Sequence, residues 1–127
     1  MKNIFDSNIN DPFAAYLGVK IDVVEKGYSR CSVTVKENML NFLGYVHGGF
    51  IFSLADVAFS VASNSDYSPS VALDVSGSFL KAVEVGDEIF AEGKLIHTTK
   101  RTGIYRMDVK KGDELIATFN GTVFRIV

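Results

Sequence analysis

The chain has 127 residues, which fits one ordinary domain and leaves no room for two. Its composition, 47% hydrophobic and 22% charged, is typical of a globular protein with a substantial core. A formal net charge of −2 argues against a general nucleic-acid binder, because no strong positive field is present to collect phosphates.

Other features of the sequence limit the cellular compartment in which the protein works. Cys31 is the only cysteine, which excludes an intrachain disulfide. The first eight residues lack the continuous apolar segment of a signal peptide. The most apolar run, residues 50–62, is shorter than the ~20 residues of a membrane span and contains Asp56. We therefore expect a soluble cytoplasmic protein that binds neither nucleic acid nor membranes.

The first elements are a short helix and a hairpin. Asp11 suits an N-cap, Pro12 the first helical position and Gly18 a helix stop, which predicts a helix over residues 11–18. Alternating apolar residues at 19–23 and 31–35, with a Lys-Gly pair between them, predict two strands of a hairpin.

Residues 36–47 have no clear period and are predicted to form a loop. The longest helical candidate follows, from about Gly49 to Ser65, and it is apolar around most of its circumference. A surface helix buries only one stripe, so we expect this helix to be enclosed by the rest of the protein.

After Pro69 the period changes to two. Strands are predicted at about 71–79, 87–97, 102–110 and 114–125, the last two joined by a Lys-Gly-Asp hairpin turn. A strongly curved antiparallel sheet wrapped around one long central helix satisfies this order of elements. The fold class is therefore α+β.

The central helix carries one narrow polar stripe at helical spacing, formed by Gly49, Ser53, Asp56, Ser60 and Asn64. A solvent-facing strip explains this pattern about as well as a functional one does. However, a carboxylate on a mostly buried helix needs a partner, a proton or a function. Asp56 is therefore the residue that most requires an explanation.

The start of this helix carries a second group of candidates. Taken singly, Gly48-Gly49 is a tight turn, His47 a surface or capping histidine, and Asn41 a turn residue. Together they place amide donors at a helix N-terminus, with the carboxylate of Asp56 about two turns further along. Those are the parts needed to polarise a carbonyl and attack it, directly or through water.

Residues 41–56, from Asn41 through Gly44 and His47-Gly48-Gly49 to Leu54-Ala55-Asp56, resemble the signature of the PaaI-type thioesterases of the hotdog superfamily. The similarity continues through residues 62–65, 78–81 and 101–105, and so covers roughly residues 12–125. The spacing of His-Gly-Gly and Leu-Ala-Asp is the most specific part of it; the strand matches only support it.

The resemblance implies that residues 1–127 form a single hotdog domain that hydrolyses acyl-CoA. It implies a homodimer joined at sheet edges, dimers that usually pair into a homotetramer, and an active site at the dimer interface. The N–H of Gly48 would polarise the thioester carbonyl, with Gly49 beside it and with Asn41 and His47 assisting. Asp56 from the neighbouring subunit would be the general base or the nucleophile.

The chain departs from some relatives at one position. They carry a serine on the strand after the helix, where Ala72 stands here, so Ser76 or Asp74 would have to substitute. Candidates for the phosphates of coenzyme A are Lys81, Lys100 and Arg101. Residues proposed to line the acyl pocket are Phe42, Tyr45, Phe59 and Tyr67. Aryl-acetyl, hydroxylated aromatic and short-to-medium acyl groups all remain candidates.

Two other functions agree less well with the sequence. A non-catalytic acyl-CoA binding module is disfavoured because such a pocket needs no carboxylate facing the thioester. A hotdog dehydratase or hydratase is disfavoured because His47 precedes Asp56, the reverse of the order in those enzymes. No metal is expected, since His47 and His97 are far apart and lack a carboxylate-histidine cluster. No cofactor is expected either, because coenzyme A is part of the substrate.

Overall fold

The computed structural model describes residues 9–65 and 69–126. The helices are α1 (Pro12–Leu17) and α2 (Gly48–Asn64), and a 3-10 helix spans Glu37–Met39. The strands are β1 (Lys20–Glu25), β2 (Tyr28–Thr34), β3 (Ser70–Phe79), β4 (Glu88–Thr98), β5 (Thr102–Lys111) and β6 (Glu114–Arg125). The predicted helices and strands are confirmed, with ends that move by one to three residues and with a short helical turn inside the predicted loop.

Local sequence signals determine the ends of α1. The Asp11 side chain accepts a hydrogen bond from the N–H of Ala14 at 3.0 Å, as an N-cap residue does. Gly18 ends the helix at φ 77°, in the left-handed region that glycine enters without steric cost. The predicted capping residues are therefore correct at both ends.

All six strands form one antiparallel sheet in the order β1-β2-β4-β5-β6-β3. Helix α2 contacts every strand of this sheet, and ten of its 17 residues are buried. The predicted layout, a curved sheet wrapped around one central helix, is confirmed. Within the described residues, no helix has the length and apolarity needed to cross a membrane.

The sheet covers the apolar side of α2, whereas the predicted polar stripe of the helix stays open to solvent. Gly49 and Ser60 are exposed, whereas Ser53, Asp56 and Asn64 are half-buried. The stripe is thus the face of α2 that a single protomer leaves partly open to solvent.

Strand β3 differs from the predicted half-buried strand. Its alternating apolar residues do not form a buried face, because Val71, Leu73 and Phe79 are 50%, 59% and 57% exposed. It lies at the edge of the sheet, paired only with β6 among the described strands, and its register shifts between Ala72 and Asp74.

A stability prediction follows from the close approach of β6 to α2. A Cβ atom at Gly121 would lie 2.6 Å from Cζ of the fully buried Phe59. Such overpacking typically costs 1–3 kcal/mol, and so Gly121→Ala is expected to lower the free energy of unfolding by about 2 kcal/mol. Urea unfolding measures it, with the exposed neighbour Asn120→Ala as control. Equal midpoints for both variants would contradict the packing described.

Candidate active site

His47 caps the first turn of α2. Its Nδ1 accepts a hydrogen bond from the N–H of Gly49 at 2.9 Å. A Cβ atom at residue 49 would stand 3.1 Å from that same nitrogen, so glycine leaves the imidazole the room it needs. Because Nδ1 is the acceptor, the proton of the neutral ring lies on Nε2 and is available as a donor.

The N–H of Gly48 is left free by this cap. Gly48 is the first residue of α2, so no earlier turn of helix offers it a carbonyl, and nothing among the described residues accepts from it. An unpaired N–H at the positive end of a helix dipole stabilises negative charge on a nearby atom. This group can therefore hold a carbonyl oxygen on which negative charge develops.

Asn41 shapes the loop that leads to His47. Its side-chain oxygen accepts from the N–H groups of Leu43 and Tyr45, at 2.9 and 3.1 Å. Leu40 and Val46 close the loop by an antiparallel bridge. The structure thereby brings Asn41 to the N-terminal end of α2 while leaving its side-chain NH₂ group to donate elsewhere.

Asp56 lies on the open stripe of α2, half-buried. Burial raises the pKa of its carboxyl group, and the carboxylate of Asp11 raises it further. None of the described residues donates a hydrogen bond to it. A half-buried carboxylate with a raised pKa and no partner has the character of a general base.

Gly48 and Asp56 do not meet within one protomer. They are eight positions apart on one helix, which separates them by about 12 Å at 1.5 Å per residue. Groups that act on one carbonyl carbon each need to approach it to about 3 Å, or slightly further through one water. A single chain therefore carries both functional groups without assembling them.

Ser76 is brought to the start of α2. It lines an open cavity of about 380 Å³ together with Gly48, Gly49, Val75 and Gly77. Of the residues predicted to compensate for Ala72, the structure thus brings Ser76 beside the glycines, while Asp74 is exposed outside this cavity.

The three predicted basic residues divide between the two ends of α2. Lys81 lines a second cavity with Gly48 and forms an exposed ion pair with Glu114. Lys100 and Arg101 lie in the β4–β5 turn. The carbonyl of Arg101 accepts a hydrogen bond from the N–H of Arg125, and the Arg125 guanidinium donates to the carbonyl of Ser63. This turn is therefore near the C-terminal end of α2. Within one protomer only Lys81 is beside Gly48.

The predicted acyl-pocket residues are only partly suitable. Phe59 is wrong as a pocket residue, because it is 1% exposed in the core and packs on Tyr105. Phe42 and Tyr45 are exposed on the loop before α2, and Tyr67 lies outside the described residues. Phe52, Phe79 and Phe119 also line the cavity of about 380 Å³ beside Gly48, although no sequence pattern marks them as site residues. Phe79 meets Phe119 because β3 pairs with β6, a pairing for which the sequence carries no local signal.

Among residues 9–65 and 69–126, no group of three or more His, Cys, Asp or Glu side chains is arranged to hold a metal ion. The chemical groups at the site are a backbone N–H, an imidazole, a carboxamide, a hydroxyl and a carboxylate. These suffice for polarising and hydrolysing an activated carbonyl.

Comparison with known proteins agrees with that chemistry. Residues 43–118 match the family model described as the thioesterase superfamily. The acyl-coenzyme A thioesterase PaaI of Escherichia coli is 36% identical over 118 residues, covering 92% of this chain and 84% of the relative.

Solved structures give the same result. The E. coli PaaI protein from the phenylacetic acid degradation operon superposes with a TM-score of 0.89 at 35% identity, covering 93% of this chain and 86% of that one. The smu.793 protein of Streptococcus mutans, bound to acetyl CoA, superposes with a TM-score of 0.81 at 28% identity, covering 85% and 88%.

The raised pKa of Asp56 predicts how stability depends on pH. A carboxyl group whose pKa is higher in the folded than in the unfolded protein stabilises the folded state fully at pH values below its unfolded pKa. That stabilisation is lost as pH rises through its folded pKa. Asp56→Asn lacks an ionisable group there, so it is expected to be at least as stable as the wild type at neutral pH and to lose less stability as pH rises from acid.

Urea midpoints measured across the acid-to-neutral range test this expectation. The exposed turn residue Asp113 supplies the matched control, Asp113→Asn. A clear loss of neutral-pH stability in Asp56→Asn alone would show that the Asp56 carboxylate has a stabilising partner.

Proposed function

This chain belongs to the thioesterase superfamily and is a thioester hydrolase of the hotdog fold, and from this premise we propose that it hydrolyses acyl-CoA at the interface of a homodimer. Gly48 of one protomer would hold the thioester carbonyl oxygen, and Asp56 of the other would supply the base or the nucleophile. The products would be a free acid and coenzyme A.

One observation carries this proposal: Gly48 and Asp56, whose N–H and carboxylate have no hydrogen-bond partner among the described residues, are about 12 Å apart along the same helix. Asp56 lies on the open stripe of α2, and Gly48 lies at its N-terminal end beside the edge strand β3. A second helix lying antiparallel against this face would bring the Asp56 of one chain beside the Gly48 of the other. Two equivalent sites would result from the two-fold symmetry.

The two edges of the sheet favour dimerisation through β3. The edge strand β1 exposes the charged residues Lys20, Asp22 and Glu25, which discourage pairing with another strand. Strand β3 is longer, with ten residues, and exposes the apolar side chains of Val71 and Leu73. A long apolar edge invites a second strand, so β3 pairing with its copy is the favoured contact. Pairing of such dimers into a homotetramer is a further expectation.

The reaction would proceed by two changes of bonding. Oxygen from water, or from the Asp56 carboxylate itself, bonds to the carbonyl carbon while the carbonyl oxygen becomes negative and is held by the Gly48 N–H. Collapse of that intermediate then breaks the carbon–sulfur bond. In the water route the proton taken by Asp56 passes to the departing sulfur, which gives the free acid and coenzyme A as the thiol. In the nucleophile route the thiolate takes a proton from water, and a second water hydrolyses the anhydride left on Asp56 to the free acid. In the water route Asp56 takes the proton, and its raised pKa makes it a stronger base.

Substrate binding would use both ends of α2. In an antiparallel pair the C-terminal end of one α2 approaches the N-terminal end of the other. That arrangement would bring Lys100 and Arg101 of one protomer toward the side of the partner that carries Lys81. These cations suit the phosphates of coenzyme A. Aromatic side chains around Gly48 favour aryl-acetyl or short-to-medium acyl groups, as does the phenylacetic acid degradation operon to which the E. coli relative belongs.

Thiol release from a panel of acyl-CoA esters tests the activity and the role of Asp56. The panel contains phenylacetyl, benzoyl and straight-chain esters. Loss of general-base assistance costs 10²–10⁴-fold, so Asp56→Asn is expected to lower kcat by at least about a hundredfold in a folded protein. Asp113→Asn serves again as control.

Two outcomes would overturn these assignments. Hydrolysis retained by Asp56→Asn would remove Asp56 from the mechanism. Tight binding of coenzyme A by the wild type without hydrolysis of any ester would favour a binding module instead.

Mixing two inactive variants tests the shared site. Gly48→Pro removes the N–H without breaking the helix, because proline is well suited to the first helical position and His47 already has a compatible backbone, with φ −63° and ψ 132°. It also adds ring carbons beside Phe79. Loss of an oxyanion donor costs about 10²–10³ in kcat. Gly48→Ala keeps the N–H and is the control.

Mixed dimers of Gly48→Pro and Asp56→Asn would contain one intact site and one doubly defective site. Random exchange of subunits should therefore restore about a quarter of the wild-type activity. Sites built within single chains would give no recovery, so absence of recovery after demonstrated exchange would contradict the interface site.

A further inference from the structure

The aromatic ring of Phe79 stands directly in front of Gly48. A Cβ atom built at Gly48 would lie 3.4 Å from Cζ of Phe79, and so the tip of the ring touches the start of α2. The other side of the ring packs edge-on against Phe119, with centroids 5.5 Å apart and planes at 80°. The ring is held between helix and sheet, although 57% of the residue is exposed.

Phe119 itself has a fixed position. Phe52 of α2 packs on it edge-on at 5.7 Å from the other direction. The facing residue of β3 is Gly77, where any side chain would overlap the Phe119 ring. Phe79 is therefore anchored on a ring that has little freedom to move.

Two open cavities meet at Phe79. One, of about 340 Å³, is lined by Val46, Ile51, Leu80 and Lys81. The other, of about 380 Å³, is lined by Phe52, Val75, Ser76 and Phe119, among others. Gly48 and Phe79 are the two residues common to both linings, so the ring separates the cavities at the point where the free N–H is found.

The two cavities differ in chemistry. The first is lined by Lys81, whose ammonium group pairs with Glu114, and by the chain that leads away from β3, which suits a polar arm ending in phosphates. The second is lined by three phenylalanines, a valine and one serine, which suits an apolar group. A thioester has one substituent of each kind, joined at the carbonyl.

We propose that the Phe79 ring is the wall between an acyl cavity, lined by Phe52, Val75 and Phe119, and a pantetheine cavity on the Lys81 side, and that it sets the size of the acyl group accepted. This inference rests on the proposed acyl-CoA hydrolysis at Gly48. The ring stands at the carbonyl end of the acyl cavity, beside Gly48, so the volume of residue 79 determines how bulky the acyl group can be next to its carbonyl carbon.

The test compares kcat/KM over esters of increasing bulk beside the carbonyl, namely acetyl-CoA, propionyl-CoA and isobutyryl-CoA, with phenylacetyl-CoA added. Phe79→Ala and Phe79→Leu enlarge the space, and Phe79→Trp reduces it. The exposed residue Ile96 lies in neither lining, so Ile96→Ala is the matched control. Circular dichroism and the oligomeric mass confirm that each variant is folded.

The ratio of kcat/KM for isobutyryl-CoA to kcat/KM for acetyl-CoA is expected to rise roughly tenfold in Phe79→Ala, the factor that burial of about two additional carbon groups supplies. Phe79→Leu should give a smaller rise, and Phe79→Trp a fall. Inhibition by free coenzyme A should change little, because its arm lies on the other side of the ring.

Three negative results of this experiment would lead to different conclusions. Unchanged ratios in folded, active variants would overturn the role of Phe79 while leaving the proposed hydrolysis intact. Folded variants that hydrolyse no ester at all would show that the ring positions the thioester instead of limiting the acyl group. A wild type that hydrolyses no acyl-CoA would overturn the proposed hydrolysis, and this inference with it.

Discussion

Enclosure of one almost wholly apolar helix by a single sheet is the constraint on which the rest of this structure depends. Ten of the 17 residues of α2 are buried, and the helix contacts all six strands. The strands can approach so closely only where side chains are absent. A Cβ atom at Gly93 would lie 2.7 Å from the carbonyl oxygen of Ala58, and one at Gly121 would meet the ring of Phe59. Tight packing of this kind holds both ends of the helix in place relative to the strands.

The six-stranded sheet does not close around the helix, and the proposed active site lies in the gap that it leaves. The polar stripe of α2 and the edge strand β3 both belong to that gap. In β3 the apolar alternation that normally marks a half-buried strand remains exposed, which has a physical explanation if the strand pairs with its copy. The same surface would then stabilise the dimer and carry the catalytic groups. Under that arrangement, folding, assembly and activity all depend on one face of the protein.

Much of the fold could be predicted because its signals are local. Asp11, Pro12 and Gly18 determine α1 through contacts three or four residues apart, and the apolar run of α2 shows that the helix is enclosed. The position of β3 next to β6 could not be predicted, because that pairing joins residues that are distant in sequence and have no distinguishing pattern.

The same distinction applies to the site. Asp56 stands out in the sequence because a carboxylate on an apolar helix is unusual. His47 and Gly48 stand out because they come directly at the start of that helix. Phe79 and Phe119 do not, because they look like ordinary strand residues until the strands are paired. Phe59 was misassigned for the opposite reason: an aromatic residue near the polar stripe proved to face the core. Residue type alone does not separate cavity from core on a helix that is apolar nearly all round.

The two adjacent glycines illustrate how one short motif performs two tasks. Residue 49 must lack a side chain so that the His47 imidazole can accept its N–H. Residue 48 presents its own N–H beside the ring of Phe79, with no acceptor among the described residues. A helix N-terminus offers several free donors, and a cap that used the first of them would remove the donor proposed to hold the carbonyl oxygen. The imidazole accepts the second N–H, which stabilises the first turn of the helix and leaves the Gly48 N–H available as that proposed donor.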